Sequence, residues 1–258
     1  MSLKWLAILE SKAEGIAESA RTLKFLSPKR GAPLPYAYPC DNYMDAILSN
    51  KLVRRALLLF ADKYCKEQIQ NVRLEGRLVD ESNHPRLYGV LQDCCKSLNV
   101  EQVPAVYVTN RLRGINALSV GTDNAPIVLV SRKTVVGLSD GELSFVIGHE
   151  LGHILQKNMM CHTIKGLLDR LNNKSEMLGS VVSDSIDVPL NEWYRCAEYT
   201  ADRAGYLCCK DVNLIEGLFD KIFERSSIVG HQSFIELYQH HPFIRSRLDN
   251  IKEFAKTN

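Results

Sequence analysis

The stretch GELSFVIGHELGHILQKN, residues 141–158, carries two histidines four positions apart with a glutamate between them. Its apolar residues predict a helix, and Ser139 with a glutamate three residues later predicts a capping box at its start. Residues four apart lie on one side of a helix, so His149 and His153 can reach one cation. Glu150 would project beside that cation. Two histidine ligands with a glutamate as general base are typical of zinc hydrolases.

A catalytic zinc also needs a third protein ligand and an open position for water. Metzincins place a glycine and a third histidine just beyond the motif, where this sequence has Gln156 and Met159. His162 lies nine residues beyond His153, after the predicted end of the helix, and is a weak alternative. The better candidate is Glu198, 45 residues after His153 and on a second predicted helix.

Glu198 belongs to NEWYRCAEYTADRAGYL, residues 191–207, where helical periodicity is clear. Asp202 lies one turn further along the same face, where it could accept the remaining N–H of a ligand histidine. Small residues surround the pair and favour close packing on another helix: Ala197, Thr200, Ala201, Ala204 and Gly205. The alternative for Glu198 and Asp202 is an ordinary solvated helix face.

The order HELGHI and then AEYTADRAG resembles the gluzincin peptidases of the HtpX, Oma and CAAX prenyl protease type, family forty-eight of the metallopeptidases. The resemblance covers roughly residues 85–250. INALSVG is similar to the Asn-Ala segment at the family's cleft edge, and HPFIRSRLDNI is similar to its HP-x4-R element. Members best known for prenylated or membrane substrates carry transmembrane helices. Because this sequence predicts none, the resemblance implies a soluble branch.

The resemblance implies a zinc endopeptidase of the EC 3.4.24 type that acts on peptide or protein substrates. One Zn²⁺ per chain would be held by His149, His153 and Glu198. Glu150 would be the general base, and His241 would stabilise the oxyanion, with the adjacent His240 as its competitor. Arg247 matches the arginine of the HP-x4-R element and would order the site. Alternatively, His241 simply precedes the proline that starts the last helix.

Residues 114–120 are the proposed substrate edge strand, with Asn116 and Ala117 nearest the scissile bond. A substrate would lie extended against this strand and gain backbone hydrogen bonds by β-addition. The alternative is an inner strand that does not contact substrate.

Composition limits the partners and the compartment. The 32 basic and 30 acidic residues are evenly mixed, which argues against nucleic-acid binding. The eight cysteines include no CxxC and predict reduced thiols.

No apolar run is long enough for a transmembrane helix, so a cytoplasmic location is expected. An amphipathic helix over 1–26 is expected to pack on the protein, while contact with a membrane surface stays open.

The expected fold class is α+β: a mostly helical, zincin-type metallopeptidase in which a small three-stranded antiparallel sheet flanks the HExxH helix. The sheet is predicted as a small antiparallel meander from three β-rich runs in 103–131. We expect an N-terminal helix and a Pro-rich linker in 1–40, followed by a peptidase domain in 41–258. Either 1–40 or 160–190 could cover the cleft. The alternative function is a latent or inactive protein of this fold that acts as an interaction module.

Overall fold

This computed structural model describes residues 34–39, 75–122, 125–157, 159, 179–229 and 244–258. For residues 122, 179–192 and 223–229 the description covers the backbone alone. The helix predicted over 1–26 lies outside the described residues, and so does most of the segment 160–190. Their expected roles as a membrane contact or a cover for the cleft stay predictions.

The described residues form four strands and six helices. The strands are β1 (Arg77–Leu78), β2 (Ala105–Thr109), β3 (Ala117–Thr122) and β4 (Ala125–Ser131). The helices are α1 (Pro85–Ser97), α2 (Arg132–Gly137), α3 (Asp140–Leu155), α4 (Gly179–Cys209), α5 (Val212–Val229) and α6 (Ile244–Ala255). None of these described helices combines the length and the apolar character needed to cross a bilayer.

The four strands form one mixed sheet in the order β1-β2-β4-β3. β4 runs antiparallel to β3 and parallel to β2, while β1 is antiparallel to β2. The prediction of an α+β, mostly helical fold is therefore correct, but the prediction of three antiparallel strands is wrong. β1 spans only two residues, too few to show the alternation by which a strand is recognised in a sequence.

The order of the strands differs from the predicted meander because β4 occupies the centre of the sheet. Its last five residues, 127–131, are all buried, as expected for a strand covered on both faces. The meander assumed that strands adjacent in sequence are adjacent in space, which is the commoner arrangement. Here β3 passes to the far side of β4, so β2 and β3 do not pair.

The pairing register decides which side chains of β3 face the helices. Ala117 and Ser119 pair with Val130 and Val128, whose side chains are fully buried in the main core. Leu118 pairs with Leu129, which belongs to a smaller apolar cluster on the opposite face. Since successive side chains point to opposite faces of a strand, Ser119 and Ala117 share the helix-facing side.

Helix α3 begins with the predicted capping box. The Ser139 hydroxyl accepts from the Glu142 backbone N–H, and the Glu142 carboxylate accepts from the Ser139 backbone N–H. Lys221 of α5 donates to the same carboxylate at 2.5 Å. The start of α3 is therefore fixed by local hydrogen bonds and by the neighbouring helix α5.

Helices α3 and α4 approach each other so closely that glycine is needed at their contact. A Cβ atom at Gly152 would lie 2.8 Å from both Ala201 Cα and Ala204 Cβ. A Cβ atom at Gly148 would lie 3.0 Å from Gly205 Cα. The small residues noted in the sequence therefore pack against α3, and the expected close packing of the two helices is observed.

Helix α4 is longer than the sequence predicted. It starts at Gly179 and includes Pro189, whereas the prediction started the helix at 191, because proline usually ends or begins a helix.

The described part of the Pro-rich segment, residues 34–39, lies along α4. Tyr38 N–H donates to Thr200 Oγ1 at 3.0 Å, and Arg203 donates to the Ala37 carbonyl at 3.1 Å. The Tyr38 ring also packs on Tyr199, with ring centroids 4.8 Å apart. This segment therefore packs against α4, the helix that carries Glu198, and stabilises it.

The glycine contact predicts opposite effects for two Gly→Ala variants. Gly152→Ala should lower the free energy of unfolding by about 1–3 kcal/mol, because the new methyl group overpacks the contact with α4. Gly217→Ala is the matched control, since nothing lies within 4 Å of a Cβ atom there. Relief of glycine's backbone entropy in a helix should make this control about 0.5–1 kcal/mol more stable.

Urea unfolding followed by circular dichroism would measure both changes. Equal stabilisation by the two alanines would contradict the close contact of α3 and α4.

Candidate metal centre

His149 and His153 lie one turn apart on α3 and point to one place. Their Nε2 atoms are 3.0 Å apart, and the rings meet edge to face at 88°. A neutral imidazole carries a lone pair on the nitrogen that is not protonated. Two such lone pairs at this distance repel each other unless a proton or a cation lies between them. The pair therefore marks a place where a cation would be stabilised.

Glu198 completes the cluster from α4. Its side chain is fully buried, and its two carboxylate oxygens lie 3.3 Å from His153 Nε2 and 3.6 Å from His149 Nε2. One donor atom from each of the three residues lies within 4.8 Å of the other two. These three side chains, which the sequence predicted as ligands, are thus brought together and could hold a metal ion.

The spacing and the chemistry of the three donors fit zinc. Zinc in proteins is bound tetrahedrally at about 2.0–2.2 Å by histidine nitrogen and carboxylate oxygen, which places neighbouring ligand atoms roughly 3.3–3.5 Å apart. The distances in the cluster run from 3.0 to 3.6 Å. Two histidines and one glutamate also leave a fourth position open, as catalytic zinc sites require.

Asp202 lies within hydrogen-bond distance of the His149 ring. His149 Nδ1 lies 3.0 Å from Asp202 Oδ1. With its proton on Nδ1, the ring donates to Asp202 and turns the lone pair of Nε2 toward His153 and Glu198. Burial by itself lowers the pKa of His149, but the Asp202 hydrogen bond and the carboxylate charges outweigh it and raise that pKa overall.

Arg247, from α6, anchors this carboxylate. It donates to both oxygens of Asp202, at 2.7 Å from Nε and 2.5 Å from Nη2. Burial alone raises the pKa of Asp202, but the Arg247 charge and hydrogen bonds lower it overall, so Asp202 stays ionised. Arg247 Nη1 also lies 3.7 Å from Glu198. Two buried carboxylates beside one guanidinium leave the cluster net negative, which favours a cation.

Glu150 projects from α3 beside the cluster and is 7% exposed. The Ser119 hydroxyl, from β3, donates a hydrogen bond to Glu150 Oε2. Sequence reasoning missed Ser119, although the alternation of β3 already placed it on the same face as Ala117. The sequence does not show that this face of β3 contacts α3, because the contact depends on where the sheet lies in the fold.

A cavity of about 110 Å³ opens between β3, α3, α5 and α6. Glu150, His149, Glu198 and Arg247 lie at its polar side. Its apolar lining includes Ile115, Phe145, Val146, Leu218, Phe219 and Ile244. A mostly apolar cavity with a few convergent polar groups is the usual form of a binding site. The predicted ligand cluster therefore adjoins a space into which a substrate side chain could fit.

Ala117 is the first residue of β3, Asn116 directly precedes it, and both line the same cavity. The backbone of Asn116 is fixed, because its N–H donates to Thr134 Oγ1 at 2.7 Å and its carbonyl accepts from Ser131 N–H at 2.9 Å. β3 is the last strand of the described sheet, where it pairs with β4 alone. Its role in binding substrate stays a prediction.

Three histidines considered in the sequence fall outside the described residues: His162, His240 and His241. The oxyanion role of His241 and the alternative ligand His162 therefore stay predictions.

Comparison with known proteins agrees with the geometry. The model of the family "Peptidase family M48" matches residues 81–255, more than half of the chain. The chain is 26% identical over 146 residues to the plastoglobule-localized metallopeptidase 48, chloroplastic, of Arabidopsis thaliana, covering 56% of this chain and 42% of that protein. It is 29% identical over 115 residues to protease HtpX homolog 1 of Streptomyces coelicolor, covering 44% and 37%.

The chain thus spans less than half the length of these two relatives. No solved structure matches it significantly.

The Asp202–His149 contact predicts weaker metal binding when its charge is removed. Asp202→Asn should lower zinc affinity about 10–100-fold, because the neutral amide has only one acceptor oxygen and lacks the negative charge that favours the proton on Nδ1 of His149. Asp220→Asn, an exposed position on α5, is the matched control and should leave affinity unchanged. Competition titration against a zinc-binding dye would measure both. Unchanged affinity in a folded Asp202→Asn protein would contradict the role of Asp202.

Proposed function

The chain belongs to peptidase family M48, and on that basis we propose that it is a zinc-dependent endopeptidase. The observation that carries the proposal is the convergence of His149, His153 and Glu198 beside Glu150, at the edge of an open cavity. A metal held only for structure would use a closed set of ligands and would need no adjacent base.

The proposed ligands of one Zn²⁺ per chain are His149, His153 and Glu198. The chemistry that zinc supplies at such a site is the activation of a water molecule near neutral pH. Asp202 would keep His149 in the ligating tautomer, and Arg247 would keep Asp202 in place and ionised. This assignment is supported by the distances in the cluster and by its net negative charge.

Glu150 is the proposed general base. Its carboxylate borders the cavity next to the ligands, where it would take the proton of the attacking water and later deliver it to the leaving amine. His241 is the proposed donor to the oxyanion. The support for His241 is the resemblance of HPFIRSRLDNI to the HP-x4-R element of the family.

The substrate is proposed to bind as an added strand on the outer edge of β3. Support comes from the position of β3 at the end of the described sheet and from Asn116 and Ala117, which line the cavity. Because the lining of the cavity is mainly apolar, the favoured substrates would carry an apolar side chain next to the scissile bond.

A cytoplasmic location is proposed from the usage of cysteine, since all five of the described cysteines are free thiols. The chloroplast plastoglobule named for the Arabidopsis relative is the competing location, and cell fractionation would distinguish the two.

Replacement of the general base should abolish cleavage without loss of metal. Glu150→Gln keeps the size of the side chain but removes its basicity, so we expect kcat to fall about 10²–10⁴-fold. Glu216→Gln, a half-exposed glutamate of α5 paired with Lys252 and absent from the cavity lining, is the matched control and should keep full activity. The measurement is cleavage of a peptide library together with zinc content by mass spectrometry.

Retained zinc with unchanged cleavage by Glu150→Gln would refute Glu150 as the base. If the zinc-loaded wild-type protein cleaved no member of the library, the latent or interaction-module function would be favoured instead.

Filling the cavity should change the cleavage preference. Val146→Phe adds a ring to the lining, so kcat/KM for substrates with a large apolar side chain should fall about 10–100-fold relative to substrates with alanine. Val136→Phe, at a 76% exposed position on α2, is the matched control and should leave the preference unchanged. The same preference in Val146→Phe as in wild type would show that this cavity does not read the substrate.

A further inference from the structure

The carboxylate of Glu150 is held from the sheet side by one hydroxyl group. Ser119 donates to Glu150 Oε2, and the same Ser119 oxygen lies 3.4 Å from the Glu150 carbonyl oxygen. Both residues are buried, each with 7% of its surface exposed. Among the described residues, Ser119 is the one group with a hydrogen bond to this carboxylate, and that bond engages Oε2.

The hydroxyl group of Ser119 is buried at a position of β3 that faces the main core. Ser119 pairs with Val128, a fully buried residue of the main core, and shares its face with Ala117. An alanine or a valine would fill such a position without a polar group to satisfy. A serine there carries a desolvation cost unless it is hydrogen-bonded, and Glu150 is the partner that satisfies it.

The hydrogen bond restricts a flexible side chain. Glu150 extends from α3 beside a cavity lined mostly by apolar groups, where few polar contacts could fix its rotamer. Engagement of Oε2 by Ser119 leaves Oε1 as the oxygen that can accept a proton from the cavity side. A base works efficiently only when it lies within hydrogen-bond reach of the proton it takes.

We propose that Ser119 is a positioning residue for the general base: it holds Glu150 by Oε2 so that Oε1 is presented to the water in the cavity. This inference rests on the proposed peptidase function. It also connects the base to β3, the proposed substrate strand, because Ser119 lies two residues after Ala117. A substrate that pairs with β3 would thereby stabilise the strand that orients the base.

Three substitutions at this position separate positioning from packing. Ser119→Ala removes the hydroxyl group. Ser119→Cys replaces it with a slightly larger thiol group, which is a weak hydrogen-bond donor. Ser119→Thr keeps the hydroxyl on a residue that suits a strand. In the zinc-loaded full chain, Ala and Cys should lower kcat about 10–100-fold, as expected for a slightly misplaced base, while KM stays within about twofold. Thr should restore most of kcat, and all three variants should bind zinc stoichiometrically.

A spectroscopic measurement tests the contact without reference to activity. The infrared difference between the wild type and Glu150→Gln isolates the carboxylate band of Glu150. The difference spectrum between Ser119→Ala and the double variant Ser119→Ala, Glu150→Gln should show this band at a shifted frequency, because the hydrogen bond to Oε2 is absent. If the chain cleaves no peptide, a shifted band still supports Ser119 as the residue that positions Glu150, and the failure then lies in the proposed activity.

An unshifted band would overturn the inference. Unchanged kcat in Ser119→Ala would overturn it as well, and so would a fall in kcat that Ser119→Thr does not reverse.

Discussion

The close approach of α3 and α4 is the constraint on which the rest of the site depends. Gly148 and Gly152 let the two backbones approach to a distance that no larger side chain would permit. His149 and His153 extend from α3 and Glu198 from α4, so the separation of the helices sets the 3.3 and 3.6 Å distances between imidazole and carboxylate. Wider separation would leave two histidines without their third partner.

A buried ionic network adds a third helix to this arrangement. Arg247 joins α6 to Asp202 on α4, and Asp202 in turn fixes His149 on α3. Buried charges are costly to desolvate and are tolerated when they are paired and hydrogen-bonded, as Arg247 and Asp202 are. Glu198 adds a second carboxylate to this one guanidinium, and the resulting excess of negative charge is what a divalent cation would neutralise. The network that stabilises the helices therefore also favours a metal ion.

The sheet contributes in a different way, through its register and its outermost strand. β3 lies at the end of the described sheet because β4 takes the central position, an order that the apolar runs of the sequence do not specify. The buried run of 127–131 was a local signal for a central strand, but the prediction gave more weight to adjacency in sequence. The same register turns Ser119 toward Glu150. This contact joins residues 31 positions apart, so the local periodicity of the sequence does not predict it.

Features that depend on residues within one or two helical turns could be predicted from the sequence alone. The capping box at Ser139, the shared face of His149 and His153, and the position of Asp202 one turn after Glu198 all follow from the 3.6-residue period. The identity of the third proposed ligand was also within reach, because small residues beside Glu198 indicated a close helix contact. The strand order, the Ser119 contact and the apolar cavity became known from the three-dimensional structure. Each of these depends on the relative placement of distant elements, which is set by the packing of the whole core.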